Sequence, residues 1–73
     1  DMEGVKLNKI YVSISPHPAT ENEELELKQG QFVSVLERTG QLWKCEKLDA
    51  SNKPLGQSGY VTSDFLRPLY GSY

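Results

Sequence analysis

Hydrophobic and polar residues alternate over short stretches of the chain, and this pattern predicts strands rather than helices. The clearest stretch is residues 32–37, where Val33 and Val35 share one face of a strand and Phe32 and Leu36 share the other. Valine and phenylalanine fit a pleated, half-buried surface, which reinforces the assignment.

Four other stretches have the same character. The stretch nearest the N-terminus is rich in β-branched and aromatic residues and ends before Pro16, which cannot donate a hydrogen bond within a sheet. In another stretch, Trp43 and Cys45 point to one face and Leu42 to the other. The four predicted strands are residues 10–14, 25–27, 42–48 and 57–62.

Polar segments containing glycine, proline or asparagine separate these strands and predict loops and turns. The segments are residues 16–24, 28–31, 38–41 and 49–54. Ser63 and Asp64 predict the start of a single helical turn, because both residue types can satisfy free backbone amides there. Five short strands with hairpin-like connections indicate an all-β sandwich or a small closed barrel.

Length and charge narrow the functional classes. A chain of 73 residues holds one small domain, which cannot enclose a deep catalytic cavity and still fold. The net charge of −2 and the lack of a basic run argue against nucleic-acid binding, and no apolar stretch is long enough to cross a membrane. Because the sequence begins with Asp1, we expect it to be part of a longer protein.

The chain has a single cysteine and a single histidine, which limits its chemistry. Cys45 cannot form an intramolecular disulfide, and together with His17 it cannot complete a four-ligand zinc site. We expect Cys45 to be an inert core residue in a reducing, cytoplasmic compartment. No third group is in place to orient a Cys-His pair, so we expect no enzyme activity, no metal and no cofactor.

Three stretches, in order, resemble the Src homology 3 (SH3) domain family. Residues 23–31 resemble the family's stretch of acidic, leucine and apolar positions that leads to a Lys-x-Gly turn. Residues 40–45 resemble its glycine followed by paired tryptophans. Residues 58–66 resemble its Gly-Tyr-apolar-Pro-Ser-Asn-Tyr-apolar segment. The resemblance covers residues 9–69 and leaves residues 1–8 and 70–73 as flanks. It implies a five-stranded barrel of two packed antiparallel sheets with one short 3-10 turn near the C-terminus.

Such domains bind proline-rich peptides in shallow slots lined by aromatic rings. The resemblance places Ser15 and His17 where the family has two tyrosines, and Leu42 where it has the first tryptophan. Thr62 stands in place of the slot-lining proline. A conventional proline-reading surface is therefore depleted in this chain.

Other binding positions are partly retained. Tyr60 is unchanged, Phe65 replaces the last tyrosine, as in family members that bind ubiquitin, and Trp43 takes the second, usually non-binding tryptophan place. The glutamates that can still attract a basic residue of a partner are Glu21, Glu23 and Glu24, and Glu24 is nearest the family's specificity carboxylate.

The loss of these aromatic residues lowers the expected affinity for proline-rich peptides. About 4 kcal/mol separates a micromolar from a millimolar complex, and each lost aromatic anchor commonly costs about 2 kcal/mol. We therefore expect weak or no binding of proline-rich peptides. The sequence favours a monomeric, non-catalytic interaction module of a larger signalling, trafficking or cytoskeletal adaptor. Its partner would be another protein or a domain of the same chain.

Two alternatives remain open from the residues alone. The domain could be purely structural and pack against neighbouring domains of its host protein. It could also bind proline-rich peptides conventionally, if the alignment shifts by one residue so that Trp43 lines the groove. That shift would turn Cys45 outward and bury the Glu46 carboxylate, which is costly without a partner charge.

Overall fold

The computed structural model describes residues 10–69. The chain forms five antiparallel strands and one 3-10 turn. The predicted all-β fold is therefore confirmed. The elements are β1 (Ile10–Ser13), β2 (Phe32–Thr39), β3 (Leu42–Leu48), β4 (Pro54–Thr62), the 3-10 turn (Ser63–Phe65) and β5 (Leu66–Pro68).

Hydrogen bonds join the strands into one continuous sheet in the order β4-β3-β2-β1-β5. The two predicted sheets are thus not separate hydrogen-bonded units. Tyr11 lies opposite Val33 in the pairing of β1 with β2, and Val35 lies opposite Cys45 in the pairing of β2 with β3. Neighbouring strands therefore direct their apolar side chains into a shared interior.

The interior contains two apolar clusters. The main cluster consists of Leu25, Leu27, Val33, Val35, Cys45, Val61 and Leu66. A smaller cluster pairs Ile10 with Leu48, and Phe32 and Leu69 pack against it. Burial of these side chains is the principal force that holds the short strands together, because each strand alone is too short to be stable.

Residues 25–27 were predicted to form a strand, and this prediction is wrong. Their burial alternates as expected, with Leu25 and Leu27 buried and Glu26 exposed. However, the Leu25 N–H donates to the Tyr60 carbonyl, whereas the Leu27 N–H donates to the His17 carbonyl. The segment bonds first to β4 and then back to an earlier residue of its own loop, and Glu24 and Leu27 form only isolated bridges. The fifth strand is β5 instead.

The start of β4 also differs from the sequence expectation. The strand begins at Pro54, three residues before the predicted boundary, and Pro54 lies opposite Leu48. A proline is tolerated there because it occupies the first residue of an edge strand. A register shift between Glu46 and Leu48 and a φ of 82° at Gly56 mark an irregularity that the local alternation did not reveal.

The predicted 3-10 turn is present and begins at Ser63, as expected. Thr62 is its N-cap and makes no side-chain capping hydrogen bond. The Ser63 N–H instead donates to the Gln41 carbonyl at 2.8 Å, which ties the turn to the connection between β2 and β3. This tie holds the 3-10 turn beside the first residue of β3.

Candidate functional site

The sequence predicted a set of groove residues. In the structure they lie around the point where the long loop (residues 14–31) meets the end of β4. Leu42 lies opposite Thr62 in the pairing of β3 with β4. The Tyr60 N–H donates to the Glu23 carbonyl at 2.7 Å, so the long loop lies against β4. We call the following residues the groove surface: Ser15, Leu42, Tyr60, Thr62 and Phe65.

Backbone contacts hold the N-terminal part of the long loop against the 3-10 turn. The Ile14 N–H donates to the Phe65 carbonyl at 2.8 Å. This bond brings Ser15, the next residue, alongside the turn, and the Ser15 carbonyl accepts a hydrogen bond from the Ser13 hydroxyl. The small side chain of Ser15 supplies no ring beside Phe65.

His17 is buried, with 3% of its surface exposed, and does not stand open in the groove as the sequence suggested. Its Nδ1 lies 2.9 Å from the Leu25 carbonyl oxygen, and its Nε2 accepts a hydrogen bond from the Thr62 N–H at 3.3 Å. Its ring also meets the Phe65 ring edge to face, with centroids 4.8 Å apart. His17 thus forms part of the floor below the surface.

Leu42 is the principal exposed apolar side chain of the groove surface, with 45% of its area accessible. Tyr60, Thr62 and Phe65 are each half-buried. A proline slot needs flat rings on both sides of the bound residue. Here Phe65 packs on His17, and the facing positions are the aliphatic Leu42 and the hydroxyl-bearing Thr62.

Trp43 points to the opposite face of β3 from Leu42 and packs against the main apolar cluster. Its ring meets Tyr11 edge to face at 5.3 Å, and its Nε1–H donates to the Gly40 carbonyl at 3.1 Å. Cys45, two residues on, has no exposed surface. The structure does not bring Trp43 together with the groove surface.

Arg38 completes a second aromatic cluster around Trp43. Its guanidinium lies 4.6 Å from the Trp43 ring centroid and 5.6 Å from that of Tyr11. Its Nη2 donates to the Tyr11 hydroxyl at 2.7 Å. Cation-π attraction and this hydrogen bond fix the guanidinium over both rings.

The three predicted acidic contacts have different environments. Glu21 and Glu23 are exposed, whereas Glu24 is half-buried. The Glu24 Oε1 accepts hydrogen bonds from the Thr20 N–H, the Thr20 hydroxyl and the Glu21 N–H. The Thr20 bonds above all lower the pKa of Glu24, because they favour the ionised carboxylate. One oxygen of Glu24 is therefore engaged in holding the long loop.

A shallow pocket of about 290 Å³ lies beside Tyr60 and includes Lys44, which is not among the site residues that the sequence predicted. Lys44 lies opposite Tyr60 across β3 and β4 and shares the face of Leu42. The alternation of side chains along β3 was enough to predict that Leu42 and Lys44 share a face, because they are two residues apart. The pocket is lined by Glu23, Lys44, Ser58, Gly59 and Tyr60.

A larger depression of about 440 Å³ lies elsewhere, between the end of the long loop and the connection from β3 to β4. Phe32, Leu48 and Leu55 supply its apolar surface, and Leu55 is 50% exposed. None of the groove-surface residues lines it. This depression is therefore separate from the groove surface.

Burial raises the pKa of the Cys45 thiol to about 12, so the thiolate that acts as a nucleophile is suppressed. Within residues 10–69 no three His, Cys, Asp or Glu side chains are arranged to hold a metal ion. No helix in this part of the chain is long and apolar enough to span a membrane.

Comparisons with known proteins identify the fold. The C-terminal SH3 domain of myosin IB from Entamoeba histolytica is 23% identical, with a TM-score of 0.73 over 90% of this chain and 100% of that chain. The same domain bound to an EhFP10(GEF) peptide is 24% identical, with a TM-score of 0.71 over 84% and 92% of the two chains. No curated protein matches the sequence.

SH3 domains are in general non-catalytic modules of protein–protein interaction. The family model described as variant SH3 domain matches residues 5–69, which is most of the chain. The chain therefore belongs to the variant SH3 domain family.

Proposed function

We propose that this domain is a non-catalytic interaction module whose groove surface binds a protein segment or folded surface other than an ordinary proline-rich motif. The observation that carries the proposal is the exposed Leu42 beside Thr62, at the place where a proline slot would need a ring and a proline. A peptide complex of a structurally similar SH3 domain, that of myosin IB, supports a peptide or protein as the ligand.

Energetics favour an apolar rather than a proline-specific contact. Leu42 offers a branched side chain that gains from burial, about 25 cal/mol for each Å² removed from water, without requiring a flat ligand. Tyr60 and Phe65 extend the contact area with rigid rings. Glu21 and Glu23 are exposed at one end and add attraction for a basic residue of the partner.

The proposal also covers the bounds of the domain, its oligomeric state, its host protein and its cellular compartment. The domain spans residues 9–69, is monomeric and belongs to a larger intracellular adaptor of signalling, trafficking or the cytoskeleton. Cys45, which is buried as a free thiol, supports a reducing compartment such as the cytoplasm.

A peptide titration tests the claim about proline motifs. A proline-rich peptide with a terminal arginine is added to the isotope-labelled protein, and amide shifts are followed by NMR. We expect no saturation below about 1 mM, since about 4 kcal/mol is lost relative to a micromolar complex. The variant Leu42→Trp, which restores a ring at the first tryptophan position, should bind more tightly. Micromolar binding by the unchanged protein would refute the proposal.

A matched pair of variants tests the location of the binding surface. Leu42→Asp and Leu55→Asp each place a charge at a leucine of similar exposure, 45% and 50%, but Leu55 lies at the other depression. Partners captured by the host protein should be lost with Leu42→Asp and retained with Leu55→Asp. The reverse result would favour a structural domain that packs through the other end of the barrel.

A further inference from the structure

Arg38 carries a positive charge on the face of the sheet that is opposite to Leu42. It pairs with Trp43 across β2 and β3, whereas its neighbour Glu37 pairs with Lys44 and directs its side chain to the other face. The Arg38 side chain is exposed, while the Trp43 ring that it covers is half-buried. The guanidinium therefore lies between the aromatic cluster and solvent.

Contacts with two rings restrict this guanidinium to one position. It lies 4.6 Å from the Trp43 ring centroid and 5.6 Å from that of Tyr11, and its Nη2 donates to the Tyr11 hydroxyl at 2.7 Å. A guanidinium has five N–H donors, and this bond uses one of them. Among residues 10–69, Arg38 donates to no other acceptor and forms no ion pair with a carboxylate. Its remaining donors therefore have no acceptor within this part of the chain.

A carboxylate is the ligand that best fits these unused donors. The planar fork of a guanidinium matches the two oxygens of a carboxylate and can donate to both. Because Arg38 is already stacked on Trp43, little side-chain freedom is lost when such a pair forms. A phosphate group carries more negative charge, which the net charge of −2 of the chain disfavours.

A small apolar depression of about 170 Å³ adjoins Arg38. Its other lining residues are Val35, Leu36 and Glu37. The pairing of β2 with β3 shifts between Val35 and Glu37, so Leu36 is the extra residue of a β-bulge and lies opposite no residue of β3. Leu36 is 47% exposed. An apolar side chain that enters the depression therefore gains contact with Leu36 beside the charge of Arg38.

We propose that Leu36, Arg38 and Trp43 form a second interaction surface, which binds a segment of a partner protein that presents a carboxylate next to an apolar side chain. The carboxylate pairs with the guanidinium of Arg38, and the apolar side chain occupies the depression beside Leu36. The guanidinium remains stacked on Trp43. This proposal goes beyond the proposed function and does not rest on it, because the groove surface lies on the other face of β3.

The two surfaces favour partner residues of opposite charge. Near the groove surface, the exposed Glu21 and Glu23 attract a basic residue, whereas Arg38 attracts an acidic one. Binding of an acidic segment is therefore a property that the glutamates of the long loop do not explain. It identifies the second surface independently of the first.

Titration of the full 73-residue chain with two matched peptides tests the proposal. The first peptide is acetyl-Leu-Glu-Leu-Glu-Leu-amide, in which each glutamate has an apolar neighbour on both sides, and the second has glutamine in place of glutamate. The signals followed by NMR are the Leu36 amide, the Arg38 Nε–H and the Trp43 indole N–H. All three should shift with the glutamate peptide, and the glutamine peptide should bind about tenfold more weakly.

The wild-type titration is decisive without any variant. Shifts confined to the groove surface, or equal affinity of the two peptides, would overturn the proposal. Inorganic phosphate at matched ionic strength should move the Trp43 indole signal less than the glutamate peptide does, and a larger effect of phosphate would refute the assignment to a carboxylate. Shifts of the same signals when the protein alone is concentrated would identify a second copy of the chain as the occupant, which also contradicts the proposal.

A pair of arginine variants separates the guanidinium of Arg38 from general charge. Arg38→Lys keeps the charge but removes the planar fork, so the glutamate peptide should bind about tenfold more weakly. Arg67 is also exposed, but its Nη1 donates to the carbonyls of Asp64 and Leu66. Arg67→Gln should leave the affinity within about twofold, although it removes a whole charge. An equal loss in the two variants would show that net charge attracts the peptide, and the proposal would fail.

Discussion

Gly59 lies so close to Glu23 that a Cβ at position 59 would be 2.8 Å from the Glu23 carbonyl oxygen. The same atom would be 3.0 Å from the Leu25 nitrogen. Both neighbours are backbone atoms, and Glu23 itself has a φ of 73°. The long loop can therefore reach β4 only where β4 has no side chain.

Gly59→Ala should destabilise the domain by about 1–3 kcal/mol, because neither strand nor loop backbone can move away without losing hydrogen bonds. Thermal or urea unfolding measures the effect, and a loss of 1 kcal/mol corresponds to about 4–8 °C in a domain of this size. Ser58→Ala, one residue away and exposed, should change stability by less than about 0.5 kcal/mol. Equal stability of the two variants would contradict the crowding argument.

Glu24→Gln should weaken the long loop at neutral pH and have a smaller effect in acid. The pKa of Glu24 is lowered below 4.5 by the Thr20 hydrogen bonds, so its contribution is complete above pH 4.5 and is lost as the pH falls through the folded value. Urea unfolding should show the largest difference between variant and wild type at pH 7, and this difference should shrink as the pH is lowered from 4.5. Glu26→Gln, at an exposed position, should show no such convergence.

The Cys45 thiol should react with a disulfide reagent only when the domain opens. It has no exposed surface, and burial raises its pKa to about 12, so both access and thiolate are limited. At pH 8 we expect labelling to be slower than in guanidinium by a factor on the order of 100 or more. Rapid labelling of the folded protein would show that the main apolar cluster is open around Cys45.

Arg38→Ala should destabilise the domain by about 1 kcal/mol, through loss of the cation-π contact and of packing on Trp43. Tyr11→Phe removes only the hydroxyl that accepts from Arg38. The two changes should be less than additive when combined, since they remove one shared interaction. Trp43 is the only tryptophan, so its fluorescence reports unfolding directly. Full additivity would show that the hydrogen bond contributes nothing.

The sequence was enough to predict those strands and side-chain orientations that depend on local periodicity. Alternation of apolar residues was enough to place β3 at residues 42–48 and to orient Trp43 and Leu42 on opposite faces. It failed at residues 25–27, because alternating burial is produced equally by a loop that bonds first to β4 and then back to its own earlier residues. Only the tertiary fold decides between the two.

His17 and Lys44 show a second limit of prediction from the sequence, which is that it does not reveal contacts between distant parts of the chain. His17 stands between Pro16 and Pro18 in a polar stretch, which is typical of an exposed loop, and nothing local indicates that Thr62, 45 residues away, donates to its ring. Lys44 belongs to a strand whose alternation was correctly predicted. Its place in a pocket with Glu23 depends on how the long loop crosses β4.

The connection between β2 and β3 consists of Gly40 and Gln41 alone, with Gly40 at a φ of 61°. Thr39 pairs directly with Leu42, so the hairpin closes at the residue before the groove surface begins. Among the described residues, this short hairpin leaves Leu42 45% exposed. A broad, flat protein face can approach it as readily as a narrow peptide, which widens the range of ligand shapes that this barrel can accommodate.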